Sequence, residues 1–128
     1  MKRICLVAFA LTLSTTGIAH AGGDPAKGYV VFRKCQSCHS LGEGQNRMGP
    51  TLFGLLGRPV ASVSNFPYSD AMRNHALETP KWDEPALAIY LAAPRDIVPG
   101  TKMFFPGLKK PDDIADIIAY LKNPKAAE

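Results

Sequence analysis

Cysteine is scarce in this chain: three among 128 residues, an odd number that cannot all pair, which argues against a disulfide-stapled scaffold. Tryptophan occurs once, and neither sign of charge dominates, with 15 Lys and Arg against 11 Asp and Glu for a net +4. No nucleic-acid partner is expected. The main apolar run, residues 4–13, stops well short of the roughly 20 residues needed to cross a bilayer. Repeats, low-complexity tracts and linkers are missing, and alternating strand patterns are almost absent. The length leaves room for one domain and none for separate substrate and cofactor lobes. An apolar content of 46% excludes a disordered tail or a collagen-like chain.

What is present begins with Met1-Lys2-Arg3, the apolar run, and then Ala19-His20-Ala21, a small-x-small cleavage pattern. These predict a secretory signal peptide over residues 1–21, cut after Ala21. Residues 22–128 are then a single exported domain, periplasmic and not stably inserted in a membrane. Removing 21 residues from 128 leaves 107, with 13 basic and 11 acidic side chains, and only Cys35 and Cys38 of the cysteines.

Along the mature chain, Asp24-Pro25 supplies a capping carboxylate and a proline at the first helical position, predicting about ten helical residues that end near the cysteine pair. Residues 40–50 hold three glycines and no apolar period, so they form a loop. A short helix is expected over residues 51–56, closed by Gly57, then a loop, then a weak helix over residues 69–76. Trp82-Asp83-Glu84-Pro85 opens a stronger helix that Pro94 stops. Residues 95–110, with Pro99-Gly100 and Pro106-Gly107, are expected to be extended or turning. Pro111 starts the clearest helix, with Ile114, Ile117, Ile118 and Leu121 on one face, although Lys110 is a poor cap. The result is an all-α domain of four to five short helices and long loops. Loops of that length in so small a domain point to a bound group that completes the core.

Cys35-Gln36-Ser37-Cys38-His39 is C-x-x-C-H, the attachment pattern of a c-type haem. Two thiols three positions apart at a helix end reach the two vinyl groups of one porphyrin, and His39 is then held beneath the iron. A Cys35–Cys38 disulfide would leave His39 without a role. A thioredoxin-like dithiol needs βαβ units, for which no strands exist. A zinc site needs about four ligands, and His75 is the one other Cys or His in the mature chain. One covalent haem c is therefore the expected cofactor. Its sixth ligand is to be sought among Met48, Met72 and Met103, with spacing leaning toward Met103 because its nonhelical segment can cross the opposite haem face.

Taken together with Gly49-Pro50-Thr51-Leu52, Gly57-Arg58, Tyr68-Ser69-Asp70-Ala71, Trp82, Tyr90-Leu91, Pro99-Gly100-Thr101-Lys102-Met103 and Ile118-Ala119-Tyr120-Leu121, the chain resembles the class I cytochromes c over residues 23–123. The resemblance implies the cytochrome c fold wrapped around one haem, with His39 and Met103 as axial ligands. It also implies that the Pro50 carbonyl accepts the His39 Nδ1–H. By the same likeness Arg58, Tyr68 and Trp82 bond the haem propionates, and Tyr90 lies near the Met103 sulfur. Gly28, Phe32 and Tyr120 would form the contact between first and last helices. The chain departs from the pattern at Met72 and Asp96, and in extra residues around Glu78-Thr79-Pro80.

The expected function is a soluble electron carrier, not an enzyme, monomeric, cycling a His/Met haem between ferric and ferrous states. Lys34, Arg95, Lys102, Lys109 and Lys110 would surround the exposed haem edge. Partners of the kind implied are a cytochrome bc complex, a terminal oxidase, a photosynthetic reaction centre or a dehydrogenase. A peroxidase or gas sensor with an exchangeable sixth ligand is the alternative, and a periplasmic thiol oxidoreductase a more distant one.

Overall fold

A computed structural model describes residues 22–127, so the expected signal peptide lies outside the described residues. Five α-helices follow in order: α1 (Pro25–Phe32), α2 (Asp70–Glu78), α3 (Glu84–Ala92), α4 (Pro94–Ile97) and α5 (Pro111–Lys122), with a closing 3₁₀ turn, Pro124–Ala127. Among the described residues, extended backbone pairs at one isolated bridge, Pro59 with Lys81. No helix among the described residues is long and apolar enough to cross a membrane.

Short polar side chains start three of the helices. The Asp24 carboxylate accepts from the Ala26 and Lys27 N–H groups at 2.9 and 3.3 Å, Ser69 Oγ from Met72 N–H at 3.0 Å, and Asp83 from Ala86 N–H at 2.9 Å. Each satisfies a donor that the first turn leaves free. Helix α5 has no side-chain cap at Lys110; Pro111 at its start and Asp112 and Asp113 in its first turn take that part.

Two expectations are corrected. Residues 51–56 are not helical. Thr51 Oγ1 donates to Gly42 O at 2.6 Å and accepts from Phe53 N–H at 3.1 Å, and Gly54 takes φ +58°. The hydroxyl thus ties this segment into a side-chain turn, and the left-handed glycine ends any helical path. At the other correction, residues 94–97 are helical where an extended chain was expected. Pro94 ends α3 but is itself a good first helical residue, and the Ala93 carbonyl accepts from both Asp96 and Ile97 N–H at 3.1 Å.

Helices α1 and α5 cross at glycine. A Cβ on Gly28 would collide with the Asp116 carbonyl and with Tyr120 Cβ, so only glycine lets the backbones approach this closely. The Asp24 N–H donates to Asp116 Oδ1 at 2.7 Å, and the Tyr120 ring meets Phe32 at 5.4 Å and Tyr29 at 5.7 Å. The core continues through Ile117, Ile118, Leu121, Leu87, Leu91 and Val98. Helix α2 joins through His75, whose ring lies 6.0 Å from Trp82 and 6.4 Å from Tyr90.

Candidate functional site

Beyond α1 the chain continues in hydrogen-bonded turns, Cys38 N–H and His39 N–H both reaching the Cys35 carbonyl at 3.0 and 2.9 Å. This winding puts Cys35, Cys38 and His39 on the wall of one cavity of about 230 Å³. Pro50, Arg58, Tyr68, Trp82, Tyr90 and Met103 line the same cavity, so every site residue expected from the sequence meets there.

His39 is held by its neighbours. Its Nδ1–H donates to the Pro50 carbonyl at 2.7 Å, which leaves Nε2 with a free lone pair. Burial lowers the imidazole pKa, the Pro50 bond raises it in part, and the Arg58 charge lowers it further. The ring is therefore kept neutral, the form that binds metal. A Cβ on Gly49 would fall among the imidazole atoms, so the ring packs on bare backbone. The 40–50 loop is fixed by Gly49 N–H to Cys38 O at 2.8 Å, Arg47 Nη1 to Gln36 O at 2.7 Å and Thr51 N–H to Asn46 Oδ1 at 3.0 Å. Cys35 and Cys38 are not paired with each other, and both sulfur-bearing side chains line the cavity.

On the next wall, Gly57 N–H donates to Trp82 O at 2.8 Å and Trp82 N–H to Arg58 O at 2.9 Å. This pairing sets Arg58 beside Trp82. Helix α2 ends at Glu78, and the Pro80 carbonyl accepts from Val60 N–H at 3.1 Å, so the longer approach still delivers Trp82 to the cavity. Arg58 Nη1 donates to Phe53 O at 2.7 Å, but Arg58 Nε is buried with no protein partner. Burial lowers the guanidinium pKa, partly offset by Tyr68. The Tyr68 hydroxyl accepts from Val63 N–H at 3.3 Å.

Met103 lies in a segment held at several points. Leu108 N–H donates to Leu91 O at 2.8 Å, Lys102 Nζ to Pro67 O at 3.2 Å and Met103 N–H to Thr101 Oγ1 at 3.2 Å. The Tyr90 hydroxyl stands 3.9 Å from Met103 Sδ; burial raises its pKa and Thr101 counteracts.

An apolar cavity with two adjacent thiols, a neutral imidazole, a thioether and one buried cationic donor without a partner fits a flat porphyrin that carries carboxylates. The sequence profile of the cytochrome c family matches residues 25–125. The chain belongs to the cytochrome c family. This cytochrome is 45% identical over 122 residues to the cytochrome c2 of Rhodomicrobium vannielii, spanning 94% of this chain and 95% of that one. It is 46% identical over 100 residues to cytochrome c-550 of Ancylobacter novellus, 77% of this chain and 94% of the relative. In three dimensions it is similar to cytochrome cH from Methylobacterium extorquens, with a TM-score of 0.72, 42% identity, and coverage of 78% and 98% of the two chains. The cytochrome carries one covalent haem c through Cys35 and Cys38 and is an electron carrier that exchanges electrons with redox partners, not an enzyme.

Three residues had no role assigned from the sequence. Gly49, Thr51 and Asn46 shape the wall behind His39; Gly49 and Thr51 stood in a motif of the resemblance without a stated duty, and Asn46 was one more turn former in a polar loop. Met72 lines the cavity as well, where its sequence context allowed simple packing.

Proposed function

We propose that this cytochrome is a soluble periplasmic carrier whose haem iron is held by His39 and Met103. The observation that carries this reading is the 2.7 Å bond from His39 Nδ1–H to Pro50 O, with the Met103 thioether on the same cavity. The haem, when bound, supplies reversible one-electron chemistry. His39 is oriented by Pro50 and kept neutral by burial, so Nε2 is the donor. Met103, a soft thioether, favours the reduced metal. Arg58, Tyr68 and Trp82 offer donors to the buried carboxylates, which the unpartnered Arg58 Nε supports. Leu52, Leu87 and Ile117 exclude water from the same space.

Docking is expected at the cavity mouth. Phe104 there is 92% exposed and lies under the Arg95 guanidinium at 4.3 Å, and Lys102 borders the same cavity. Together with Lys34, Lys109 and Lys110 these cations suit acidic redox partners such as a cytochrome bc complex, a terminal oxidase, a reaction centre or a dehydrogenase.

The test is spectroscopic. The oxidised holoprotein should show a thioether-to-iron charge-transfer band, and the reduced protein should keep its spectrum under carbon monoxide. A carbon monoxide adduct formed on mixing would favour the peroxidase or sensor reading instead. Protein recovered from the periplasmic fraction should begin at Gly22; an intact amino terminus would overturn the export reading.

A further inference from the structure

Three thioethers line this one cavity: Met48, Met72 and Met103. Met103 has its place in the reading above. Met48 stands at the rim, 81% exposed, its Sδ 3.9 Å from Sγ of Cys38, the neighbour of His39. Met72 is different. It is partly buried against the core, on the first turn of α2, and its backbone is fixed where its N–H donates to Ser69 Oγ at 3.0 Å. That turn abuts the segment bearing Met103, since a side chain at Gly100 would meet the Ala71 methyl at 3.4 Å. The backbone at Met72 is thus anchored beside that segment, while its thioether has three rotatable bonds with which to adjust.

We propose that Met72 is a reserve ligand for the haem iron, taking the sixth position whenever Met103 leaves it. The inference rests on the His39 and Met103 reading. In the exchange, the iron–sulfur bond to Met103 breaks and one to Met72 forms. Both donors are neutral thioethers, so no proton, electron or net charge moves. A soft donor tethered inside the cavity competes at an effective concentration that a free ligand in solution does not reach. The segment bearing Met103 has no helical ladder and carries the highly exposed Phe104, so an opening there has to break only the few bonds made by Lys102, the Met103 N–H and Leu108. A reserve donor keeps the iron six-coordinate during such an opening, and so keeps small molecules off it.

The experiment compares holoproteins: wild type, Met72→Leu, Met103→Leu, Met103→Leu/Met72→Leu and Met103→Leu/Met48→Leu. Leucine nearly conserves volume, so folding is little disturbed. Wild type and Met72→Leu should share one charge-transfer band. Met103→Leu should retain a displaced band, Met103→Leu/Met48→Leu should match it, and Met103→Leu/Met72→Leu should lose it. The last should also bind imidazole about tenfold more tightly than Met103→Leu. If the double variant does not fold, Met103→Leu labelled with ¹³C-methyl methionine decides by itself. Its reduced form should show one methyl shifted far upfield by the haem ring and assigned to Met72. Loss of the band in Met103→Leu, with the imidazole affinity of the double variant, would overturn the reserve role and leave Met103 as the resident ligand. A wild-type band in Met103→Leu, abolished by Met72→Leu alone, would instead overturn the ligand reading on which the inference rests. A band that depends on Met48 would also overturn it.

Discussion

A side chain at Gly49 would occupy the space of the His39 imidazole. Substituting Gly49→Ala should therefore cost about 1–3 kcal/mol through overpacking. The drop would be read as a lower melting temperature, together with a disturbed charge-transfer band because the ring has to tilt. Tyr68 makes a pH prediction. Burial raises its phenol above the ordinary 10.0, with the Val63 N–H bond and the Arg58 charge pulling back. The folded protein thus prefers the neutral phenol more than the unfolded chain does. That stabilisation is complete below pH 10 and is lost as pH climbs through the higher folded value. The alkaline fall in melting temperature should be slightly shallower in Tyr68→Phe than in wild type, slightly because the ring is partly in water. Parallel falls in the two proteins would remove Tyr68 from the linkage. Of these residues, Tyr68 could be named from sequence through a resemblance, whereas the duty of Gly49 depends on a ring that a whole loop brings back to it.

At the scale of elements, helix starts were legible wherever a side chain bonds its own first turn, as at Asp24, Ser69 and Asp83. Residues 51–56 were not, because the Thr51 hydroxyl is occupied by Gly42, a partner from the preceding loop. The helix at residues 94–97 was hidden by a proline that both stops and starts. Helix α5 leaves a gain available: Lys110 has the extended backbone of a capping residue, φ −100° and ψ 123°, but no capping bond. Lys110→Asp should add about 1 kcal/mol of stability by bonding the first-turn N–H groups. If Lys110 also belongs to the docking surface, the same variant should associate more slowly with an acidic partner, with a weaker salt dependence. Denaturant unfolding reads the first effect and stopped-flow kinetics the second. A variant no more stable than wild type would show that Pro111 and the two aspartates already satisfy the helix start.

For the whole molecule, the wall of the cavity is also the inner face of the core. Leu55, Leu87, Leu91, Ile117 and Leu121 belong to both. Burying such a side chain contributes roughly 1.5–3 kcal/mol, and much of that contribution requires the haem on the other side. Haem-free protein should be largely unfolded by far-ultraviolet circular dichroism, and native-like ellipticity would refute a core completed by haem. Among holoprotein variants, His39→Ala should be more destabilised than Cys38→Ala, because the latter keeps one thioether bond and the iron ligand.

The haem-attaching motif, three of the caps and the periodic face of α5 follow from neighbours in the chain, whose chemistry depends on short-range geometry alone. Fold class and cofactor were accordingly open to the sequence by itself. Tertiary structure decided the rest. The bonds between Gly57, Arg58 and Trp82 set Arg58 beside Trp82 on the cavity wall, and the packing of α2 beside Gly100 brought a second thioether to the cavity of Met103. These arrangements join segments distant in sequence, and their geometry exists only once the loops have closed around a common centre.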